Sequence, residues 1–161
     1  MVKAYSRTQI FLHWAVALLI LFNLIFSDAM TALWRQIEHT GPTPTTTGAW
    51  VHIFVGVAVL GLVAWRLALR VTRGAPHVPA GTHALLKFAG DAGHIALYAL
   101  MIALPGTGLF AFFGGFETLG DLHGGVLKAL LWALIALHVG AAFYHHLVLK
   151  DGLLNRMRKS G

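Results

Sequence analysis

Apolar residues form four long runs along the chain, separated by stretches rich in proline, glycine or polar residues. The runs cover roughly residues 10–26, 50–69, 85–104 and 126–149. A helix needs about 20 mostly apolar residues to cross a bilayer. No alternating strand pattern and no internal repeat competes with this periodicity. The pattern predicts an all-α integral membrane four-helix bundle, with residues 1–161 forming a single domain.

The three connections contain the residue types that interrupt helices. These residues are Pro42, Pro44, Thr45, Thr46 and Thr47 in the first connection, Gly74, Pro76, Pro79 and Gly81 in the second, and Pro105, Gly106, Gly108, Gly114 and Gly115 in the third. We therefore expect the third span to end at Leu104.

Basic residues are distributed unequally between the two sides of the predicted bundle. One side carries Lys3, Arg7, Arg66, Arg70, Arg73, Lys87, Lys150, Arg156, Arg158 and Lys159. Only Arg35 and Lys128 lie on or near the other side. Because lysine and arginine mark cytoplasmic segments, both termini and the second connection are predicted to be cytoplasmic.

The first apolar run has a second interpretation. Lys3 and Arg7, followed by apolar residues and then by Ser27-Asp28-Ala29, resemble a cleaved signal peptide. His13 and Trp14 are unusual inside a signal sequence, so we interpret the run as the first span.

The composition narrows the classes of function. Charged residues make up 11% of the chain, against about 25% in a typical soluble domain. The formal net charge is +6, but the basic residues cluster at the ends of apolar runs, which argues against a nucleic-acid surface. The chain contains no cysteine, which excludes disulfides, cysteine-ligated zinc and thiolate-ligated iron–sulfur clusters.

Ten histidines in such an apolar chain are the unusual feature. His52 and His123 lie at the outer starts of their spans, and His13 lies near the inner surface. His138 follows His123 by fifteen residues, which is about 22 Å along a helix and about 60° around it. This spacing excludes one tight metal cluster. It favours two sites with two imidazoles each, as low-spin b-type haem requires.

Short motifs in all four spans resemble those of the bacterial cytochrome b561 family, most closely its superoxide oxidase branch. The motifs are Tyr5-Ser6-Arg7 with Ile10 and His13-Trp14; Val51-His52 with Trp65-Arg66 and Arg70; Gly93-His94, Leu97-Tyr98, Leu104-Pro105 and Gly108; and Leu137-His138, Tyr144-His145-His146 and Lys150-Asp151. The resemblance implies a four-helix membrane bundle with two b haems that exchanges electrons with quinone. In the superoxide oxidase branch, electrons pass from superoxide to ubiquinone.

The resemblance also implies the axial ligands. His13 and His138 would hold the inner haem, and His52 and His123 the outer one. The family usually separates the two ligands of the fourth span by fourteen residues, whereas fifteen separate them here. We expect a local bulge, or a non-helical start at Gly124 and Gly125, to absorb the extra residue.

Other polar residues near the inner side are candidates for cofactor contacts. His145 lies close to the helical face of His138 and could contact the quinone, with Lys150 as a weaker candidate. His94 could contact a haem edge or the quinone, or could replace a ligand, because depth alone does not fix the inner pair. Asp91 could orient His94. Three arginines are candidates for binding haem propionates: Arg7, Arg66 and Arg70. Three further histidines are expected to be solvated: His39, His77 and His83.

The expected function is an oxidoreductase of a bacterial inner membrane. An outer donor, with superoxide favoured, would reduce the outer haem, and ubiquinone would accept the electrons. The outer side carries four acidic residues against two basic ones, so its charge does not favour the approach of an anion. Two alternatives remain: an electron-transfer subunit that links quinone to a partner oxidoreductase through residues 28–49, and a non-redox ion carrier lined by histidine.

Overall fold

The computed structural model describes residues 4–76 and 82–158 of the chain, and these residues are almost entirely helical. The α-helices are α1 (Arg7–Ile25), α2 (Asp28–Thr40), α3 (Thr47–Arg73), α4 (Ala84–Gly114), α5 (Glu117–Leu122) and α6 (Lys128–Tyr144). Two π-helical turns, His123–Leu127 and His145–Leu149, extend α6 so that one helix runs over Glu117–Leu149. Four helices are long and apolar enough to cross a membrane, which confirms the predicted all-α bundle.

The start of α1 and the end of α3 are joined by hydrogen bonds. Ser6 and Gln9 form a capping box at the start of α1, in which each side chain accepts a hydrogen bond from the other residue's backbone N–H. The Gln9 side chain also donates to the carbonyl of Gly74, at a distance of 3.1 Å. Gly74 ends α3 with a φ of 75°, a conformation that favours glycine.

The basic ends of the helices gather at this side. Arg70 and Arg73 lie in the last turn of α3, and Trp14 on α1 donates a hydrogen bond of 3.0 Å to the carbonyl of Met157 near the C-terminus. The start of α1, the end of α3 and the C-terminal segment thus lie at the same end of the bundle, and the cytoplasmic placement of this end stays a prediction. Lys3, His77, Pro79, Gly81 and Lys159 lie outside the described residues.

A thin apolar core joins α1, α3 and α6. Its buried members are Val16, Ile20, Leu24, Val59, Val63 and Leu131. Large apolar side chains cover much of the remaining surface, such as Ile95 at 71% exposure and Leu137 at 68%. Such side chains are stable when lipid covers them. The contribution of α1 to the core favours its interpretation as a span.

The third span does not end where the sequence predicted. Pro105 lies inside α4, which continues to Gly114, and the turn consists of Gly115 and Phe116. Pro105 has no N–H to donate to the carbonyl of Met101, four residues earlier, but membrane helices tolerate prolines at this cost. One turn beyond the Ala103 carbonyl, the Thr107 hydroxyl donates to the carbonyls of Ala103 and Leu104, at 2.8 and 2.9 Å.

The first connection contains a helix, α2, that the sequence analysis did not predict. Leu33 is its buried residue, and most of its other side chains are exposed. At the start of α3, a Cβ on Gly48 would lie 2.6 Å from the Ala29 side chain, so the glycine permits the close approach of α2. Helix α2 therefore covers the outer end of the bundle.

Candidate haem-binding sites

The first pair of facing imidazoles lies at the outer end of the bundle. The ring centroids of His52 on α3 and His123 on the fourth span are 6.1 Å apart, and the rings are inclined at 78°. Two metal–nitrogen bonds of about 2 Å each, together with the two ring radii, give a separation of about 6 Å. The outer pair therefore has the separation of two imidazoles that share one iron.

A cavity of about 520 Å³ opens between these two histidines. Its walls include Ile20 and Leu24 from α1, Val59 from α3 and Leu131 from α6. Cofactor sites are typically concave, mostly apolar and about 300–1,000 Å³ in volume. The size and lining of the cavity thus fit a largely apolar macrocycle.

The fifteen-residue spacing is absorbed by a π-helical turn at His123–Leu127. A π turn accommodates one extra residue within a continuous helix. The fourteen residue steps that remain between His123 and His138 rotate the helix by about 1,400°, which is about 40° short of four full turns. The two side chains therefore point within about 40° of one another. The structure therefore contains the expected bulge, and it brings His123 to the cavity without a break at Gly124 and Gly125.

Helix α4 holds the His123 ring in place. His123 Nδ1 donates to the carbonyl of Leu104 at 2.7 Å, which leaves Nε2 available for a metal. Gly108, one turn beyond Leu104, provides the space, because a Cβ there would lie 2.9 Å from His123 Cε1 and Nδ1. A backbone carbonyl bonded to the second nitrogen of an imidazole is the usual way to orient a histidine ligand.

Three buried polar atoms of residues that line the cavity have no hydrogen-bond partner among the described residues. They are Asn23 Oδ1, Trp34 Nε1 and His52 Nδ1. Buried polar atoms in folded proteins are nearly always bonded. Of the three, the Trp34 indole N–H is a donor that an acceptor oxygen of a bound group would satisfy.

The second group of imidazoles lies about 22 Å further along the fourth span. The ring centroids of His13 and His138 are 6.2 Å apart, with the rings inclined at 57°. His94 on α4 also lies beside His138, at 5.5 Å and 81°. The structure thus brings together all three inner candidates, and the His13/His138 separation is nearly that of the outer pair.

Residue His94 is oriented by its own helix rather than by Asp91. Its Nδ1 donates a hydrogen bond to the carbonyl of Gly90 at 2.6 Å, and Nε2 takes no part in this bond. Asp91 is exposed. The expectation that Asp91 orients His94 is therefore wrong, because the carbonyl one turn earlier already satisfies the ring.

The arginines that are candidates for propionate binding differ in their surroundings. Arg66 Nε donates to the hydroxyl of Tyr98 at 3.0 Å, and the Arg70 guanidinium lies 6.0 Å from the centre of the Tyr98 ring. These residues line a small cleft at the inner end together with Gln9. Arg7 is exposed at the start of α1 and does not line this cleft.

Residue His145 is hydrogen-bonded to a carboxylate just beyond the end of the fourth span. Its Nδ1 donates to Asp151 Oδ2 at 2.5 Å, and the two side chains are only 13% and 15% exposed. Burial alone raises the pKa of Asp151, but hydrogen bonds from His145 and from the Leu153 N–H outweigh it, so the pKa of this carboxyl lies below its ordinary value. Lys150 is exposed at the end of the helix, with a φ of 51°.

Three of the other histidines, His39, His83 and His146, are exposed. The His83 ring accepts a hydrogen bond from the Leu85 N–H at 3.3 Å and so caps the start of α4.

Membrane-spanning helices with facing imidazoles define a class of protein, the helical membrane cytochromes b, in which histidines of the bundle bind haem. The family model described as prokaryotic cytochrome b561 matches residues 4–160. The chain belongs to this family, and it is therefore a multi-pass bacterial membrane protein of electron transfer whose cofactor is haem b.

Three relatives cover nearly the whole chain. Cytochrome b562 of Cereibacter sphaeroides is 38% identical over 156 residues, which are 96% of this chain and 95% of the relative. A probable superoxide oxidase, CybB, of Yersinia pestis is 30% identical over 179 residues, covering 96% of each chain. Cytochrome b561 homolog 1 of Escherichia coli is 30% identical over 176 residues, covering 95% and 96%.

Replacing Gly108 with alanine is expected to reduce the haem content by about half. The added methyl group would displace the His123 ring, although alanine itself favours a helix by about 1 kcal/mol over glycine. Haem per protein, measured as the pyridine haemochrome of purified protein, reports the loss. Gly106→Ala is the matched control, because a Cβ there would meet nothing within 4 Å. Full haem content in Gly108→Ala would show that the His123 ring has room to move.

Proposed function

We propose that this chain is a dihaem cytochrome b of the inner membrane that transfers electrons from an outer donor to ubiquinone. His52 and His123 would hold the outer haem, and His13 and His138 the inner one. The observation that carries the proposal is the presence of two imidazole pairs with nearly equal ring separations, 6.1 and 6.2 Å. The fourth span supplies one histidine to each pair, so a single rigid element fixes the distance between the haems.

Family membership removes the hypothesis of a non-redox ion carrier. Haem b in this chain would supply one-electron chemistry. The protein would supply the imidazoles, an apolar surrounding and a defined path across the bilayer. Because the two pairs lie near opposite surfaces, electrons would cross the membrane within the bundle.

Superoxide is the favoured donor. The relative from Yersinia pestis is named a probable superoxide oxidase. The two outer cations, Arg35 and Lys128, both line the outer cavity, together with the acidic residues Glu38 and Asp121. The acidic excess of the whole outer side therefore does not extend to the cavity. A cation close to the haem can attract an anion even when the wider surface does not.

Ubiquinone is the proposed acceptor at the inner end. Two superoxide ions would give up two electrons and leave as two molecules of oxygen. Ubiquinone would take these two electrons and two protons to become ubiquinol. His145 is the proposed proton donor to the quinone: Asp151 accepts its Nδ1–H and leaves Nε2 available.

A direct assay of superoxide-driven ubiquinone reduction tests this proposal. Purified protein in detergent would receive superoxide from xanthine oxidase, with a short-chain ubiquinone as the acceptor. We expect ubiquinol to form in proportion to the protein and to disappear when superoxide dismutase is added. If superoxide fails to reduce the haems but ubiquinol does reduce them, the chain is instead an electron-transfer subunit in which ubiquinol is the donor and a protein partner on the outer side is the acceptor.

Asp151→Asn is expected to slow ubiquinone reduction by about tenfold without changing the haem content. The amide can still accept a hydrogen bond from His145, but it removes the negative charge that stabilises a protonated imidazole. The rate of ubiquinol formation and the dithionite-reduced haem content are measured on the same sample. Asp28→Asn, the same change on the opposite side of the membrane, is the control. An unchanged rate in Asp151→Asn would exclude a role for this carboxylate in proton transfer.

A further inference from the structure

Residue Trp34 on α2 is held tightly at the outer cavity. Its indole packs against the backbone of Gly120, where an added Cβ would lie 2.6 Å from Trp34 Cε2. The same tryptophan lines the cavity that contains His52 and His123. The contact with Gly120 therefore fixes the position of an indole beside the proposed outer haem.

The indole N–H of Trp34 lacks an acceptor. Its Nε1 atom is buried and has no hydrogen-bond partner within the part of the chain that the structure describes. Trp14, by contrast, donates its indole N–H to the carbonyl of Met157. A buried tryptophan N–H usually finds an acceptor. Trp34 therefore indicates an acceptor group that the described residues do not provide.

The ammonium group of Lys128 lacks an anion. Its Nζ donates to the hydroxyl of Ser27 at 3.0 Å, and Ser27 is buried. No carboxylate of the described residues lies within ion-pair distance of it. A partly buried cation bonded only to a neutral hydroxyl is poorly compensated. Lys128 lines the same cavity as Trp34. Glu38 and Asp121 line it too, but among the described residues neither carboxylate is bonded to the ammonium group or to the indole N–H.

We infer that Trp34 and Lys128 bind the propionate carboxylates of the outer haem. A haem carries its anionic acceptor oxygens only on these two side chains, and the rest of the macrocycle is largely apolar. The inference rests on the proposed function, because it requires a haem between His52 and His123. It assigns a binding role to α2, which makes the helix part of the cofactor site rather than only a connection.

Two variants test the indole N–H of Trp34 and the ammonium group of Lys128 one at a time. Trp34→Phe removes the N–H but keeps the ring against Gly120, and Lys128→Gln removes the charge. Potentiometric titration would measure the midpoint potential of each haem, and transfer to excess apomyoglobin would measure the rate at which each haem is lost. The His52→Ala variant, which should retain only the inner haem, assigns the two potentials. Trp50→Phe is the control for Trp34, because Trp50 stacks on Phe54 and does not line the cavity; Lys87→Gln is the control for Lys128.

We expect the midpoint potential of the outer haem to fall in both variants, while that of the inner haem stays unchanged. Uncompensated carboxylates stabilise the more positive ferric state, so their release from N–H and ammonium groups favours oxidation. Transfer of the outer haem should also become roughly tenfold faster, as expected for the loss of a charged hydrogen bond.

The outcomes distinguish this inference from the proposed function. If both variants keep two haems with the potentials and transfer rates of the unaltered protein, the inference is wrong and the proposed function stands. If the unaltered protein binds no outer haem, the proposed function is wrong, and the inference falls with it. Should Trp34→Phe fail to fold, Lys128→Gln decides the inference alone.

Discussion

A His138→Ala variant is expected to bind one haem per chain instead of two, and to lose all electron transfer to ubiquinone. His138 is the proposed inner ligand from the fourth span, and its ring faces His13 at 6.2 Å. Alanine leaves the inner iron with one protein ligand, which does not support low-spin b-type haem. The haem-to-protein ratio and the reduced-minus-oxidised spectrum measure the loss. The outer haem should still be reduced by superoxide, because its ligands are untouched.

Two further variants identify the partner of His138. His13→Ala should lose the inner haem in the same way, whereas His94→Ala should keep both haems. The comparison is needed because the structure places both rings beside His138, with His94 at 5.5 Å. If His94→Ala loses the inner haem and His13→Ala retains it, His94 is the axial ligand and the proposed pair is wrong.

Changing the length of the π turn is expected to have opposite effects in the two directions. Deleting Gly125 should leave two haems bound, because it converts the π turn at His123–Leu127 into regular helix with His123 on the same face. Inserting one alanine after Gly125 should remove the outer haem. The π turn already holds one extra residue, and a second would rotate His123 by about 100° away from the cavity.

The haem content per chain is measured for both variants. Because the deletion and the insertion lie at the same position, each variant is the control for the other. The inner haem should remain in both variants, because His13 and His138 lie beyond the altered turn. Loss of the outer haem on deletion of Gly125 would show that the bulge itself, rather than the face of the helix, positions His123.

Much of the fold could be predicted because lipid imposes a simple pattern. Long apolar runs identify the four spans, and the bias of basic residues predicts their orientation. The end of the third span was not predicted correctly, because a proline commonly ends a helix, whereas α4 continues through Pro105 to Gly114. Helix α2 could have been found, because Met30, Leu33, Trp34 and Ile37 follow the spacing of an amphipathic helix.

The candidate sites could be predicted in part. Helical rise and depth separate the histidines into two levels. The fifteen-residue spacing, set against the family's usual fourteen, left a bulge and a non-helical start at Gly124 and Gly125 as alternatives, and the structure has the bulge. Depth cannot choose between His13 and His94, because both side chains lie at the same level on different helices. The contact of Trp34 with Gly120 was missed, because it joins helices whose relative position follows from tertiary packing. The contact of His145 with Asp151, six residues later, was missed because it depends on the turn at Lys150, where φ is 51°.

The most direct test of the central claim is the dithionite-reduced minus oxidised visible spectrum of the detergent-purified protein, measured together with its haem-to-protein ratio. Two pairs of facing imidazoles predict b-type bands and two haems per chain. One haem per chain would contradict the assignment of one of the two pairs. The absence of a Soret band, in protein produced with an adequate supply of haem, would contradict the account of these histidines as haem ligands.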